Sequence, residues 1–247
     1  MKNLIVFDLD GTLAQSKLAI DEDMSQLFKK LLEVAQVAII SGGDWPQFKK
    51  QVLDHLPIDT ALHKLTILPT CGTKFYYYKE GWERLYAENF TEKERHTILN
   101  NLHQALEAST LDIKKTWGEQ IEDRGSQITF SALGQQAPLE EKKKWDPDFI
   151  KRQKIVALLK KPLQAFSIGL GGTTSIDIVK PGIDKAYGIR KLTEVLGVAI
   201  PEMLFIGDAL FEGGNDYPAR KSGVDCIQVR DPEETKTIIR TIILCAT

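Results

Sequence analysis

The chain is poor in cysteine. Its three, Cys71, Cys226 and Cys245, lie far apart among 247 residues and form no CxxC pair. Sparse, odd usage argues against a disulfide-stapled fold and a thiolate zinc site, and it suits a reducing compartment. Long apolar runs are also missing, since nothing approaches the roughly 18 residues of a membrane-crossing helix. The opening MKNLIVFDLD carries a lysine and an apolar run, as a signal peptide would. That run is only about five residues, short of the roughly 7–15 required, so a cytoplasmic protein is expected. Neither charge dominates: 32 Lys+Arg face 34 Asp+Glu, a formal net charge of −2. That balance points to no nucleic-acid partner and no anionic membrane. The four histidines, His55, His63, His96 and His103, lie outside the acidic clusters described below. Apolar residues are plentiful at 43%. They can fill one large domain, or a core with a modest second domain, without metal or disulfide support.

Two architectures alternate along the chain. The short β-branched runs LIVFD and VAIISGG read as buried parallel strands. Between them DEDMSQLFKKLLEVA has helical apolar spacing behind an acidic first turn. DWPQFKKQVLDHL predicts a second helix, with Asp44 as N-cap and Pro46 in the first turn. KLTILPTCG predicts a third strand, and this βαβαβ order implies a doubly wound parallel, Rossmann-like α/β core. KFYYYKEGWERLYAENF then reads as a hairpin around a Lys-Glu-Gly turn. A helix is expected from about Thr91 to Ala108. Strand-like LDIKKTWGEQIED and SQITFSAL follow, then a helix near Pro147 to Leu159 and the strand TTSIDIV. The charged run Glu140 to Asp146 reads as a solvated loop or the approach to a helix. This α+β pattern predicts an insert over 83–180 that interrupts a core of 1–82 and 181–247. From Lys180 the core pattern resumes with the helix DKAYGIRKLTEVLG, closed by Gly197, the strands EMLFIGD and VDCIQV, and a final helix.

Ligand sites in open parallel sheets lie outside the carboxyl ends of the strands, and four clusters fall there. In FDLDGT, residues two apart on an extended segment face the same way, so Asp8 and Asp10 can converge on one crevice. A turn cap is the plainer reading, but Asp8 directly ends an apolar run. In IISGGD, Ser41 ends a strand, and Gly42 and Gly43 let backbone N–H groups approach an anion; an ordinary strand-to-helix turn is the alternative. Lys185 sits in the first turn of a predicted helix, where the dipole disfavours cations. Lys180 competes with it, though its position before a proline suits a loop. In LFIGDALFEGGND, Asp208 ends a strand, and a Gly-Gly turn returns Asn215 and Asp216 toward that end. Asp8, Asp10, Asp208 and Asp216 together would crowd about four carboxylates into one crevice. Two unit charges 4 Å apart repel by roughly 4 kcal/mol at an effective dielectric near 20. The cluster therefore asks for a cation, and all-oxygen ligands favour Mg2+ beside a phosphate.

DLDGT, a strand-end Ser41, Lys185 and GDALFEGGND, in that order, resemble the haloacid dehalogenase (HAD) superfamily of aspartate-nucleophile phosphotransferases. The insert resembles the α+β cap of its Cof-type and phosphomannomutase-like branch. The resemblance implies Asp8 as nucleophile and Asp10 as general acid and then base. Mg2+ would be held by the Asp8 carboxylate, the Asp10 backbone carbonyl and Asp208, with Asp216 on a ligand or its water and Asn215 in support. Ser41, the adjacent Gly42 N–H and Lys185 would neutralise the phosphoryl oxygens. The cap would exclude bulk water. Its Ser175 and Asp177, in TTSIDIV, match a sugar-contacting S-x-D strand of eukaryotic-type phosphomannomutases, and Arg124 matches an arginine that grips a distal phosphate. Related mutases pair through their caps, which extends to this chain the expectation of a homodimer.

Two positions depart from that pattern. Gln135 in Leu133-Gly134-Gln135 and Lys17 stand where the family has arginines. Arginine forks hold a second phosphate better than an amide or lysine, so water could become the acceptor. An Mg2+-dependent sugar-phosphate phosphatase is the first expectation, with a hexose phosphate as substrate. A phosphomannomutase is the alternative. A non-catalytic receiver-like phospho-aspartate switch comes third, since receivers lack an insert of roughly a hundred residues.

Overall fold

The computed structural model describes residues 2–111 and 115–246. The chain begins with β1 (Leu4–Phe7), α1 (Glu22–Val34), β2 (Gln36–Ile40), α2 (Trp45–Gln51), β3 (Leu65–Leu68), β4 (Lys74–Tyr78) and β5 (Trp82–Ala87). The insert supplies α3 (Glu92–Ser109), β6 (Ile121–Asp123), β7 (Gln127–Ser131), α4 (Leu139–Trp145), α5 (Ile150–Lys160), β8 (Ser167–Gly171) and β9 (Ser175–Val179). The chain then returns through α6 (Lys185–Leu196), β10 (Met203–Gly207), α7 (Tyr217–Lys221), β11 (Asp225–Gln228) and α8 (Pro232–Ala246). Two compact units result, one of residues 1–87 and 184–247, the other of 88–183.

In the first unit seven strands run in the order β11-β10-β1-β2-β3-β4-β5. The first five are mutually parallel, and β4 and β5 are antiparallel. Strands buried on both faces must read as continuous apolar runs, and Leu4, Ile5, Val6 and Phe7 are all buried. Alternate residues feed two apolar layers: Ile5 and Phe7 join one, Leu4 and Val6 the other. The Asp21 carboxylate caps α1 by accepting the Met24 N–H at 2.8 Å. Met24, Leu27, Phe28, Leu31 and Leu32 form its buried stripe, and each such side chain contributes about 1.5–3 kcal/mol. The expected core boundaries shift, because β5 pairs with β4 from Lys74↔Ala87 to Tyr78↔Trp82 and so extends this sheet. The second predicted helix is also shorter than expected. Val52 leaves helical geometry at φ −124°, and a 3-10 turn covers Leu53–His55.

The second unit is a four-stranded antiparallel sheet, order β6-β7-β9-β8. Ile128, Phe130, Ile176 and Ile178 of the sheet share a core with Ile98 and Leu102 of α3 and Ile155 and Leu159 of α5. A reciprocal Thr91–Glu94 capping box starts α3. Part of LDIKKTWGEQIED, residues 112–114, lies outside the described residues, and among its described residues a strand forms at the end, Ile121–Asp123. The sequence pattern missed β8, whose Ser-Ile-Gly-Leu-Gly run has weak strand propensity. The charged run Glu140 to Asp146 is largely helical, as α4. Asp146 then turns inward and pairs with the Arg152 Nε at 2.8 Å, both side chains wholly buried. Arg152 Nη1 also donates to the carbonyls of Gly172 (2.9 Å) and Ser175 (3.3 Å). One guanidinium thereby ties α5 to the β8–β9 turn.

Breaking a buried pair strands its other charge, at a cost of about 3–5 kcal/mol. Arg152→Met is expected to lower unfolding stability by about that amount in urea denaturation, and Arg152→Met/Asp146→Leu by clearly less. An unchanged midpoint for the single variant would contradict the assignment.

Candidate active site

Strand pairing brings the distant acids together. Phe7 of β1 sits opposite Ile206 of β10, and the Asp8 N–H donates to the Ile206 carbonyl at 3.0 Å. Asp8 and Asp208 therefore leave the carboxyl ends of adjacent parallel strands. The loop after β10 folds back, so that the Ala209 N–H donates to Asp216 Oδ2 at 2.9 Å and the Asp216 N–H to the Ala209 carbonyl at 3.2 Å. Carboxylate oxygens of Asp8, Asp208 and Asp216 lie within 4.8 Å of one another. Two glycines permit this crowding. A Cβ at Gly11, where φ is +91°, would stand 2.5 Å from Asp208 Oδ2, and one at Gly207 would collide with the Asp216 carboxylate.

Asp184 caps α6 through the Tyr187 N–H at 2.9 Å, which starts the helix at Lys185. The Lys185 ammonium donates to both Asp8 and Asp216. Its side chain is 1% exposed, against 3% for Asp8 and none for Asp216. The dipole penalty noted from sequence is outweighed by these two carboxylates. Burial pushes the Asp8 carboxyl up to about 8, against the pull of Lys185 and with repulsion from Asp216 and Asp208. Burial likewise raises Asp208, and the Asp216 charge adds to it. On Lys185 burial acts downward, but Asp216 and Asp8 hold the ammonium above the ordinary lysine range. Three carboxyl groups share a poorly solvated crevice with a single ammonium. The donor set contains only oxygen, with no histidine or cysteine in the cluster. It suits a hard divalent ion such as Mg2+.

Asp10 is held differently. Its Oδ1 accepts the Lys17 N–H at 2.7 Å and the Gln51 amide at 3.2 Å, and its Oδ2 accepts the Gln47 amide at 2.7 Å. Its carboxylate is not part of the three-acid cluster. The resemblance gave Asp10 a metal role through its backbone carbonyl and not through this carboxylate. Ser41, 4% exposed, follows β2 beside β1, and its hydroxyl accepts the Gly43 N–H at 3.2 Å. Its carbonyl accepts the Cys71 N–H at 2.9 Å. Gly42 is half-buried between them, and Asn215 is exposed. In the second unit, Asp177 Oδ1 accepts from the Thr129 hydroxyl (2.7 Å) and the Gln127 amide (3.0 Å). Ser175 opens β9 two residues earlier. Arg124 Nη2 donates to Glu122 at 2.6 Å, and the Gln135 carbonyl accepts from Lys142 at 3.3 Å. Sequence reading missed Gln47 and Gln51, although their i, i+4 spacing behind the Asp44 cap places both on one face of α2. It also missed Thr12, whose hydroxyl donates to Asp8 Oδ2 at 3.4 Å.

The sequence profile of eukaryotic phosphomannomutase matches residues 24–245. The chain belongs to the eukaryotic phosphomannomutase family. It is an enzyme of the HAD superfamily and a phosphotransferase of that type. A phosphomannomutase of Encephalitozoon cuniculi is 28% identical over 249 residues, covering 95% of this chain and 91% of the relative. That of Saccharomyces cerevisiae is 28% identical over 227 residues, covering 87% and 84%. Similar solved structures share the fold at lower identity. A Plasmodium falciparum IMP-nucleotidase with IMP bound has a TM-score of 0.67 at 19% identity, over 98% of this chain and 68% of that one. An Aspergillus fumigatus trehalose-6-phosphate phosphatase reaches 0.57 at 16%, over 99% and 93%. The relatives favour the mutase alternative over the hydrolase that the sequence departures put first. Among the described residues no helix is long and apolar enough to cross a membrane.

A cation entering this crevice must displace the proton that burial keeps on Asp8 below about pH 8. Calorimetric titration of Mg2+ at pH 7, in two buffers of different ionisation enthalpy, is expected to show release of about one proton. Affinity is expected to rise with pH up to about 8. Binding that is pH-independent and releases no proton would contradict this electrostatic picture.

Proposed function

We propose that the chain is an Mg2+-dependent phosphomannomutase, interconverting mannose 1-phosphate and mannose 6-phosphate through a phosphorylated Asp8. The main support is the conjunction of a near full-length family match with three clustered carboxylates around a buried lysine. An Asp8 oxygen attacks phosphorus and forms an acyl phosphate, while the sugar oxygen leaves with a proton from Asp10. In the return step Asp10 takes the proton of the attacking hydroxyl. Lys185, paired to Asp8 and Asp216, holds the nucleophile in place and offers positive charge beside it. Ser41 and the N–H groups of Gly42 and Gly43 receive the phosphoryl oxygens. Mg2+, held by Asp8, Asp208, Asp216 and the Asp10 carbonyl, would supply compensating charge to the transferring group. Arg124, Gln135, Ser175 and Asp177 are assigned to recognition of the sugar phosphate.

Mannose 1-phosphate with a catalytic amount of hexose bisphosphate is expected to yield mannose 6-phosphate and little free phosphate. Predominant release of inorganic phosphate would favour the phosphatase reading that Lys17 and Gln135 suggest. Asp8→Asn is expected to reduce turnover on the order of 10^4-fold or more without loss of fold. Substantial residual rate would remove Asp8 from the nucleophile's role.

A further inference from the structure

Asp10 is clamped by a short relay that no motif announces. Lys17 adopts a left-handed backbone, φ +63°. Its N–H reaches Asp10 Oδ1, and its ammonium donates to Gln47 Oε1 at 2.6 Å. An ammonium can only donate, so Gln47 must turn its oxygen to Lys17 and its NH2 to Asp10 Oδ2. The amide is thus fixed in one of its two orientations. Gln51 is similarly anchored, donating to the Leu18 carbonyl at 2.7 Å as well as to Asp10 Oδ1. Gly43 makes room for the relay, since a Cβ there would stand 2.6 Å from Gln47 Cδ. A carboxylate has about four acceptor sites. Among the described residues Oδ1 has two donors and Oδ2 one, which leaves an acceptor site open on Oδ2.

Resting on the phosphotransfer reading above, we infer that Gln47 is a positioning residue. Locked by Lys17, it aims the open side of Asp10 Oδ2 at the oxygen that leaves or attacks phosphorus. In the forward step the P–O bond to Asp8 forms and the ester P–O bond breaks. The ester electron pair goes to the sugar oxygen, which takes the proton from Asp10 Oδ2 and leaves Asp10 a carboxylate. A leaving group that is stable as an anion needs no such proton. Gln47 should therefore matter for sugar esters and not for p-nitrophenyl phosphate in the phosphorylation step.

The test is rapid-quench measurement of the first turnover, at saturating ester and Mg2+, for the wild type and Gln47→Met. Phosphorylation of Asp8 by a hexose 1,6-bisphosphate is expected to slow about tenfold or more, part of the roughly 10²–10⁴ that acid–base catalysis supplies. First-turnover release of p-nitrophenolate is expected to stay within about twofold. Lys17→Met, which leaves Gln47 present but frees its amide to flip, is expected to show the same selectivity at smaller size. It serves alone should Gln47→Met fail to fold. Equal losses on both esters, or none on the sugar ester, would overturn the inference. A wild type that transfers phosphate from neither ester would overturn the phosphotransfer reading, and this inference with it.

Discussion

The site depends on one electrostatic constraint: three carboxylates share a crevice with a single buried ammonium. Like charges about 4 Å apart repel by several kcal/mol unless screened or compensated. Lys185 compensates two of the acids directly, and its own burial would be prohibitive without them. Burial, with repulsion from Asp216 added, raises Asp8 and Asp208 above the ordinary carboxylate range. That is the condition under which a hard cation binds and an anionic phosphate ester can follow it.

The fold maintains this concentration of charge by construction. Parallel pairing of β1 with β10 and β2 puts the loops after Phe7, Ile40 and Gly207 at one end of the sheet. Apolar layers on both faces hold the strands in register. Gly11 and Gly207 remove the side chains that would force the acids apart. The Ala209 backbone, whose N–H donates to the Asp216 carboxylate and whose carbonyl accepts the Asp216 N–H, keeps the last acid from swinging to solvent. Each device is local, and together they fix the carboxylates before any ligand arrives.

Much of this was legible from the sequence, for reasons of polarity. An aspartate that ends a run such as LIVF or LFIG is anomalous for a buried strand, so Asp8 and Asp208 declared themselves. Lys185 was legible as a cation at the unfavourable end of a helix. The relay around Asp10 was not, because Lys17, Gln47 and Gln51 are ordinary surface residue types whose meaning comes only from where α2 lies. Strand β8 escaped because its glycines carry no strand signal, and the Arg152–Asp146 pair because nothing local says that a lysine-rich run ends in a buried aspartate. The preference for a phosphatase rested on two lost arginines. Overall similarity to phosphomannomutases weighs more, because the family match spans residues 24–245 and the two departures leave Asp8, Lys185, Asp208 and Asp216 in place.

The proposed function turns on covalent phosphorylation of the Asp8 carboxylate, next to Lys185. Acid quench of the enzyme during turnover of a hexose bisphosphate, followed by hydroxylamine treatment and peptide mass spectrometry, tests it directly. A hydroxylamine-labile phosphate that maps to Asp8 is expected. A phosphate on any other side chain, or turnover with no covalent adduct, would contradict it.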